Sequence, residues 1–124
     1  MNLLRILPLI LAAALLPACA ASRVPAVDAP PAYHGGELRA TLPASLDAVF
    51  LATQSALKHL EFRSTDERKD ALYARVTAQT ADNTEVRVRL DRRADTLTEI
   101  RIRAGLFGNE ARSRLILDTI TKGL

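Results

Sequence analysis

Apolar and polar residues alternate in three consecutive segments between residues 72 and 104, and short polar turns separate the segments. Because successive side chains of a β-strand point to opposite faces, a period of two predicts strands with one buried face. Three such strands joined by short turns indicate an antiparallel meander whose other face meets water. The side chains predicted to point inward are Leu72, Ala74, Val76 and Ala78, then Val86, Val88 and Leu90, and finally Ile100, Ile102 and Ala104.

Two helices are predicted. One precedes this meander in the sequence, and the other follows it. Ser45 is expected to cap the first helix, which runs to about Glu61 with apolar residues at three- and four-residue intervals. Asn109 is expected to cap the second helix, which runs to about Lys122. Both helices bury their apolar stripes if they pack on the apolar face of the sheet, which is a two-layer α+β arrangement.

Two further strands complete the predicted sheet. Residues 37–42 alternate and end at Pro43, and residues 62–65 form a brief strand before a charged turn at residues 66–70. The predicted order is β-α-β-β-β-β-α, in one α+β domain over residues 37–124. Its antiparallel sheet has about five strands, with two helices packed on one face.

Residues 1–18 have the parts of a signal peptide. Arg5 lies in a short n-region, and residues 6–16 form an apolar run that is shorter than the roughly 20 residues needed to span a bilayer. The stretch Leu16-Pro17-Ala18-Cys19 resembles a bacterial lipobox. The resemblance implies cleavage between Ala18 and Cys19 and a mature chain whose first residue, Cys19, carries diacylglycerol and a fatty acid such as palmitate.

The alternative is an ordinary signal peptide, cleaved after Ala18 or Ala20, in which Cys19 has no special role. With a lipid anchor, Ala20 favours the outer membrane, because an aspartate at that position favours retention in the inner membrane. Residues 19–36 are rich in Ala, Pro and Gly, and they are expected to form the lipidated N-terminus and a tether. We therefore expect a domain that is anchored to the outer membrane and faces the periplasm.

The composition narrows the classes of function. Cys19 is the one cysteine of the chain, so lipidation leaves no thiol for a disulfide or a Cys-rich metal site. His34 and His59 lie apart, in the tether and in the first helix, and no metal site is expected. The formal net charge of +3 is mild, and nucleic acid is not an expected partner. The sequence contains no HExxH pair or Walker motif, so we expect no enzyme and no cofactor besides the covalent lipid.

Two segments resemble an uncharacterised family of small bacterial lipoproteins, a domain family of unknown function. They are residues 40–49, ATLPASLDAV, and residues 100–110, IRIRAGLFGNE, which Ser113 follows. The likeness covers about residues 37–121 and the lipobox. Members more often carry Asp in place of Asn109 and an apolar residue in place of Arg112. The resemblance implies an envelope lipoprotein without an assigned enzymatic activity, and it supplies no catalytic residues.

Arginines recur on the outward face of the predicted meander, with Glu85, Asp91 and Glu99 between them. One interpretation is a solvated face with cross-strand ion pairs, each contributing well under ~1 kcal/mol. The other is a shallow cationic surface for lipid phosphates, an acidic polymer or an acidic protein, because arginine binds phosphate bidentately. The candidate binding residues are Arg75, Arg87, Arg89, Arg101 and Arg103.

Residues 105–108, Gly-Leu-Phe-Gly, separate the last strand from the last helix. We expect a turn in which the glycines supply positive φ angles and Phe107 packs at the edge of the core. The alternative is an anion-binding nest at the start of the helix.

The expected function is that of a bacterial envelope lipoprotein whose domain is a non-catalytic binding or scaffold module in the periplasm, with the membrane and an envelope protein as partners. The alternative is a carrier or sensor of anionic envelope lipid, which binds through the arginine-rich sheet face.

Overall fold

A computed structural model describes residues 29–124 of the chain. The expectations for residues 1–18 and for Cys19 lie outside this range. The elements along the chain are β1 (Ala32–His34), β2 (Glu37–Leu42), α1 (Leu46–His59), β3 (Arg63–Lys69), β4 (Tyr73–Gln79), β5 (Glu85–Ala94), β6 (Leu97–Ala104) and α2 (Glu110–Lys122).

The strands form a single antiparallel sheet in the order β1-β2-β6-β5-β4-β3. The α+β class and the meander β4-β5-β6 are confirmed, but the described sheet has six strands where about five are predicted. The additional strand is β1, which lies in the segment predicted as tether. Gly35 and Gly36 have φ angles of 59° and 81°, so they form the tight two-residue turn that joins β1 to β2.

The prediction of a turn at residues 66–70 is wrong for residues 66–69, which belong to β3, and Asp70 follows the end of the strand. All seven residues of β3 are exposed, and the strand lies at the edge of the sheet, where it pairs with β4 alone. This edge strand carries charged side chains on both faces, because neither face is buried. The charges also discourage pairing with the edge strand of another chain. For the same reason its sequence lacks the apolar alternation that reveals the inner strands.

The core lies between the sheet and the two helices. On the inner face of β4, β5 and β6 the apolar side chains are fully or almost fully buried, with Val76, Val88 and Ile102 at 0% exposure. Helix α1 packs over β4 and β5, and α2 packs over β6 and β2. The predicted two-layer arrangement, with both helices on one face, is confirmed.

Side-chain caps define where the helices begin. Ser45 Oγ accepts a hydrogen bond from the backbone N–H of Ala48 (3.2 Å), and Asn109 Oδ1 accepts one from Arg112 (3.0 Å). Both caps are as predicted. Helix α1 ends at His59 rather than near Glu61, because Glu61 adopts a left-handed conformation with φ of 60°.

Three apolar side chains do not lie where the sequence pattern predicts. Leu72 is 67% exposed because it precedes β4, in the hairpin that follows β3. Phe107 is 87% exposed and does not pack at the edge of the core. Ala111 is exposed, although the spacing of apolar residues in the second helix predicts that it lies on the buried side with Ile116 and Ile120. Ser113 on the same helix is fully buried among the aliphatic residues.

Candidate anion-binding site

The outer face of the sheet carries a straight row of arginines, one from each of five neighbouring strands. Arg39 on β2 pairs with Arg101 on β6, Arg101 with Arg89 on β5, and Arg89 with Arg75 on β4. Arg75 pairs in turn with Arg68 on the edge strand β3. At about 4.8 Å between strands, this arginine row spans about 19 Å across the sheet.

A second, shorter row lies one step along the strands toward the Gly35–Gly36 turn. There, Arg103 on β6 pairs with Arg87 on β5, and Arg87 pairs with Thr77 on β4. The three middle arginines of the first row and the two arginines of the second line a shallow depression of about 220 Å³, to which Glu37 and Tyr73 also contribute. All five arginines predicted from the sequence line this depression: Arg75, Arg87, Arg89, Arg101 and Arg103.

Carboxylates hold most of these guanidinium groups in place. Arg101 Nε donates to Glu99 Oε1 (2.8 Å), and Arg89 Nε donates to Asp91 Oδ2 (3.2 Å). The partner of each is two residues away on the same strand, so it points to the same face. Arg89 Cζ also lies 4.9 Å from the ring centroid of Tyr73, within the range of a cation–π interaction.

Glu99 binds two arginines at once. It accepts hydrogen bonds from both Arg101 and Arg93. Burial acts to raise the pKa of Glu99, but the hydrogen bonds and charges of the two arginines outweigh it and lower the pKa. The hydrogen bond to Glu99 raises the pKa of Arg101, because it stabilises the charged guanidinium group.

Arginines outnumber carboxylates on this face, so some donors lack anionic partners. Arg103 donates to two carbonyl groups, those of Gly35 (2.9 Å) and Leu106 (3.4 Å). Arg75 Nε is buried and has no hydrogen-bond acceptor among the described residues, although Arg75 Nη2 donates to Asp66 (3.2 Å). The strands place on this face Arg39, Arg63, Arg68, Arg75, Arg87, Arg89, Arg93, Arg101 and Arg103, against Glu37, Asp66, Glu85, Asp91 and Glu99.

A row of arginines is not the usual way to cover a solvated sheet face. Like charges on directly opposite residues of an antiparallel sheet are destabilising, by up to about 1 kcal/mol per pair. Threonine or glutamine at these positions would satisfy the solvated face without repulsion. The guanidinium groups are therefore the chemically distinctive feature of the surface, and what they can bind is an anion that accepts several hydrogen bonds.

The sequence prediction missed Arg39 and Arg68, the two ends of the row. Arg39 could have been found, because it points outward in the alternating strand of residues 37–42. Arg68 could not, because its segment has the appearance of a turn. The register that aligns the five strands is not visible in any one segment.

The Gly105–Gly108 segment is a turn, as the first interpretation predicts. Gly105 and Gly108 have φ angles of 82° and 81°, and Gly108 N–H donates to Gly105 O (3.4 Å). Arg112, where the resembled family more often has an apolar residue, lies 3.6 Å from Asp82 in the turn between β4 and β5. The hydrogen bond from Thr80 lowers the pKa of Asp82, and the charge of Arg112 acts in the same direction.

Two further observations concern the histidines and the helices of residues 29–124. His34 and His59 are both exposed and lie on different elements, and the described residues contain no cluster of His, Cys, Asp and Glu suited to a metal ion. In the same part of the chain, neither helix has the length and apolar character needed to cross a bilayer.

A six-stranded antiparallel sheet with two helices on one face and an arginine row on the other defines a two-layer α+β protein. Residues 3–123 match the family model described as "Protein of unknown function (DUF3568)". The chain therefore belongs to this family, and the resemblance to an uncharacterised family is confirmed to that extent. A comparison with curated proteins finds no match.

Proposed function

We propose that this chain is a bacterial envelope lipoprotein whose domain is a non-catalytic binding module in the periplasm, and that the arginine face is its binding surface. The anchor part of this proposal rests on the sequence of residues 1–19, with Cys19 as the lipidated residue. Each buried CH₂ of a lipid anchor contributes about 0.8 kcal/mol, and a single chain gives only marginal binding, so more than one acyl chain is needed.

One substitution tests the anchor. A Cys19→Ser variant of the full chain is expected to leave the membrane fraction or to remain unprocessed. The mass of the wild-type chain extracted from membranes is expected to equal that of residues 19–124 plus the acyl groups. Recovery of Cys19→Ser in membranes at the mature mass would contradict lipid anchoring.

The observation that carries the binding part of the proposal is the alignment of five arginines on five adjacent strands. A solvated face needs polar residues but not five directly opposite arginines. Each arginine of the row lies within 3.8 Å of a carboxylate, but the five share four carboxylates, so these ion pairs offset only part of the repulsion between the guanidinium groups. An anionic partner relieves this repulsion, and a hydrogen bond to a charged group contributes about 1.5–3 kcal/mol. An acidic segment of an envelope protein is the partner expected for a scaffold module.

The second candidate is a sensor of anionic envelope lipid, and the shape of the depression favours it over a carrier. The depression holds about 220 Å³ and is lined by five guanidinium groups, one carboxylate and one phenol. Pockets that enclose a ligand are larger and mostly apolar, at about 300–1,000 Å³. Contact with a phosphate headgroup fits this lining, whereas enclosure of acyl chains does not.

NMR titration of the full chain in neutral detergent distinguishes these partners. The probes are glycerophosphoglycerol, which is a phospholipid headgroup without acyl chains, and oligoglutamate, which represents an acidic protein segment. We expect shifts at the outer-face residues of β4, β5 and β6. Binding should weaken as the ionic strength rises from ~0.01 to ~0.1 M, because the Debye length falls from about 30 to about 10 Å.

A matched pair of variants separates the face from overall charge. Arg89→Gln combined with Arg101→Gln removes two charges from the row, while Arg114→Gln combined with Lys122→Gln removes two from α2. The first pair is expected to weaken binding about tenfold, in line with one lost charged hydrogen bond, and the second to leave it unchanged. Equal weakening would assign the binding to net charge. Failure of both probes to bind would leave the arginine face as solvated surface.

A further inference from the structure

The loop between β6 and α2 exposes two adjacent large apolar side chains. Leu106 is 82% exposed and Phe107 is 87% exposed, more than any other large apolar side chain in residues 29–124. Burial of apolar surface is the main favourable contribution to folding, and these two side chains contribute almost none of it. We call residues 105–108 the Leu–Phe loop. Adjacent apolar side chains exposed in this way mark an interaction site more often than isolated ones do.

The exposure is built into the fold, because the backbone of the Leu–Phe loop is fixed against the β1–β2 turn. A Cβ atom on Gly108 would lie 2.3 Å from Gly36 O, and one on Gly36 would lie 2.6 Å from Phe107 O. These two glycine backbones are therefore in direct contact. Arg103 joins the same two segments by donating hydrogen bonds to the carbonyl groups of Gly35 and Leu106.

Cationic groups stand directly behind the apolar tip. Arg87 and Arg103 line a depression of about 390 Å³ together with Gly105, Leu106 and Glu85, and the Glu85 carboxylate accepts a hydrogen bond from Arg87 Nε (2.5 Å). Arg103 lies two residues before Gly105 on β6, which corresponds to a rise of about 7 Å. Side chains that enter a membrane interface reach about 5–10 Å into the boundary of headgroups and acyl chains. Leu106 and Phe107 at that depth place Arg103 at the level of lipid phosphates.

A lipid anchor at Cys19 would keep the domain close to a membrane. The inference rests on the proposed function for this anchor and for nothing else. Cys19 precedes β1 by a segment whose extended length is at most about 45 Å. β1 leads directly into the Gly35–Gly36 turn that contacts the Leu–Phe loop. The tether enters β1 from the other end of the sheet, where Ala29 and Pro30 lie beside Ala40 and Thr41. The roughly 33 Å of extended chain between Cys19 and Ala29 exceeds the roughly 20 Å between Ala29 and the turn, so the anchor allows the loop to reach the membrane.

We propose that the Leu–Phe loop inserts Leu106 and Phe107 into the surface of a bilayer containing anionic phospholipid, with Arg87 and Arg103 at its phosphate groups. The domain is then held at two points, by its lipid and by the loop. This contact places the end of the sheet that carries the Gly35–Gly36 turn next to the membrane. The arginine row crosses the strands, so it then lies parallel to the membrane surface. The insertion uses Arg87 and Arg103 of the shorter row, whereas the arginine row that crosses five strands lies farther from the loop.

Tryptophan fluorescence tests the insertion, because the chain contains no tryptophan of its own. Phe107→Trp places a unique probe in the loop, and Leu72→Trp places a control probe at the opposite end of the sheet, where Leu72 is 67% exposed. Each full-length variant is reconstituted in vesicles of phosphatidylcholine and phosphatidylglycerol, with or without bromine on the acyl chains. We expect brominated chains to quench most of the emission of Phe107→Trp and to leave that of Leu72→Trp unchanged.

The outcomes separate this inference from the proposed function. Phe107→Trp emission that brominated lipid leaves unchanged, in a chain that sediments with the vesicles, would overturn the insertion and leave the anchor intact. Equal quenching of both probes would also overturn it, because the loop would then have no special position. A concentration-dependent blue shift without lipid would assign the loop to contact between copies of the chain. Selective quenching when unlipidated Cys19→Ser protein is mixed with vesicles would sustain the insertion even if the anchor proposal failed.

Discussion

The two faces of the sheet are built by the same strands but differ in what determines their residues. On the inner face, Val88 and Leu90 are fully buried against α1, and any polar substitution there would lose packing and bury an unpaired group. On the outer face, Arg87 and Arg89 alternate with them and remain largely in water. Folding constrains the inner residues to apolar types of suitable volume, whereas it constrains the outer ones only to be polar.

A functional signal in this chain is therefore to be sought on the outer face of the sheet. The need to build a packed core accounts for the residue types on the inner face. The core does not explain the arginine row, because neutral polar residues would cover the outer face without repulsion between directly opposite guanidinium groups. Substitutions that exchange or weaken the features of each face test this division, and the expected effects range from several kcal/mol on the inner face to nearly none on the outer.

The largest effect is expected from a cavity in the core. Leu90→Ala should lower the free energy of unfolding by about 2–5 kcal/mol, because Leu90 is fully buried and the site can only partly collapse. Arg87→Ala on the same strand is the matched control, and it should change the free energy by less than about 1 kcal/mol. Urea unfolding followed by circular dichroism measures both. Equal effects would contradict the division between the faces.

A stabilising change is expected where a polar group interrupts the inner layer. Ser113 is fully buried on α2, and its hydroxyl has no hydrogen-bond partner among the described residues. Ser113→Ala removes this unsatisfied group and improves helix propensity, so unfolding should cost about 1 kcal/mol more. The melting temperature should rise accordingly. A fall would mean that the hydroxyl is satisfied in solution.

An acid-dependent effect is expected from Glu99 on the outer face. Its pKa is lowered in the folded chain, so its charge stabilises the fold above the ordinary value of 4.5, and this contribution is lost as the pH falls through the lowered pKa. Glu99→Gln should therefore be less stable than wild type at pH 7, by up to about 1 kcal/mol. The difference should shrink as the pH drops below 4.5. A difference that does not change with pH would contradict this assignment.

The smallest effect on stability is expected in the middle of the arginine row. Arg89→Thr loses an ion pair with Asp91 and the contact with Tyr73, but it also removes repulsion from Arg75 and Arg101. Threonine is a good strand residue, so the change in free energy of unfolding should stay within about 0.5 kcal/mol. Binding of the headgroup probe should nevertheless weaken. Destabilisation of several kcal/mol would show that the row serves the fold itself.

The alternation of residues 72–104 was sufficient to predict the meander and its buried face, and the polar residues at both helix starts were sufficient to predict the caps. β1 was missed, and β3 was predicted only as a brief strand over residues 62–65, because each is an edge element with backbone pairing on one side and no buried stripe to produce a pattern. Five arginines of the candidate site were predicted because they share that alternation. Their alignment into one row depends on register between strands, which is set by turns and core packing together.

Phe107 shows a different limit of sequence reasoning. An aromatic residue between two glycines at the end of a strand is compatible with a core edge and with an exposed tip. The contact between Gly36 and Gly108 holds the loop so that Phe107 is an exposed tip. This contact joins segments that are far apart in the chain, so no local sequence pattern predicts it.

The central claim is that the outer face of the sheet, and not the helical layer, is the surface that binds. Site-specific photo-crosslinking in cells tests it most directly, with a probe at Thr77, which lies on the outer face and leaves every arginine in place, and a matched probe at exposed Lys58 on α1. We predict discrete adducts from Thr77 and none from Lys58, and their mass will assign them to lipid or to protein. Adducts from Lys58 alone, or from neither position, would contradict the account.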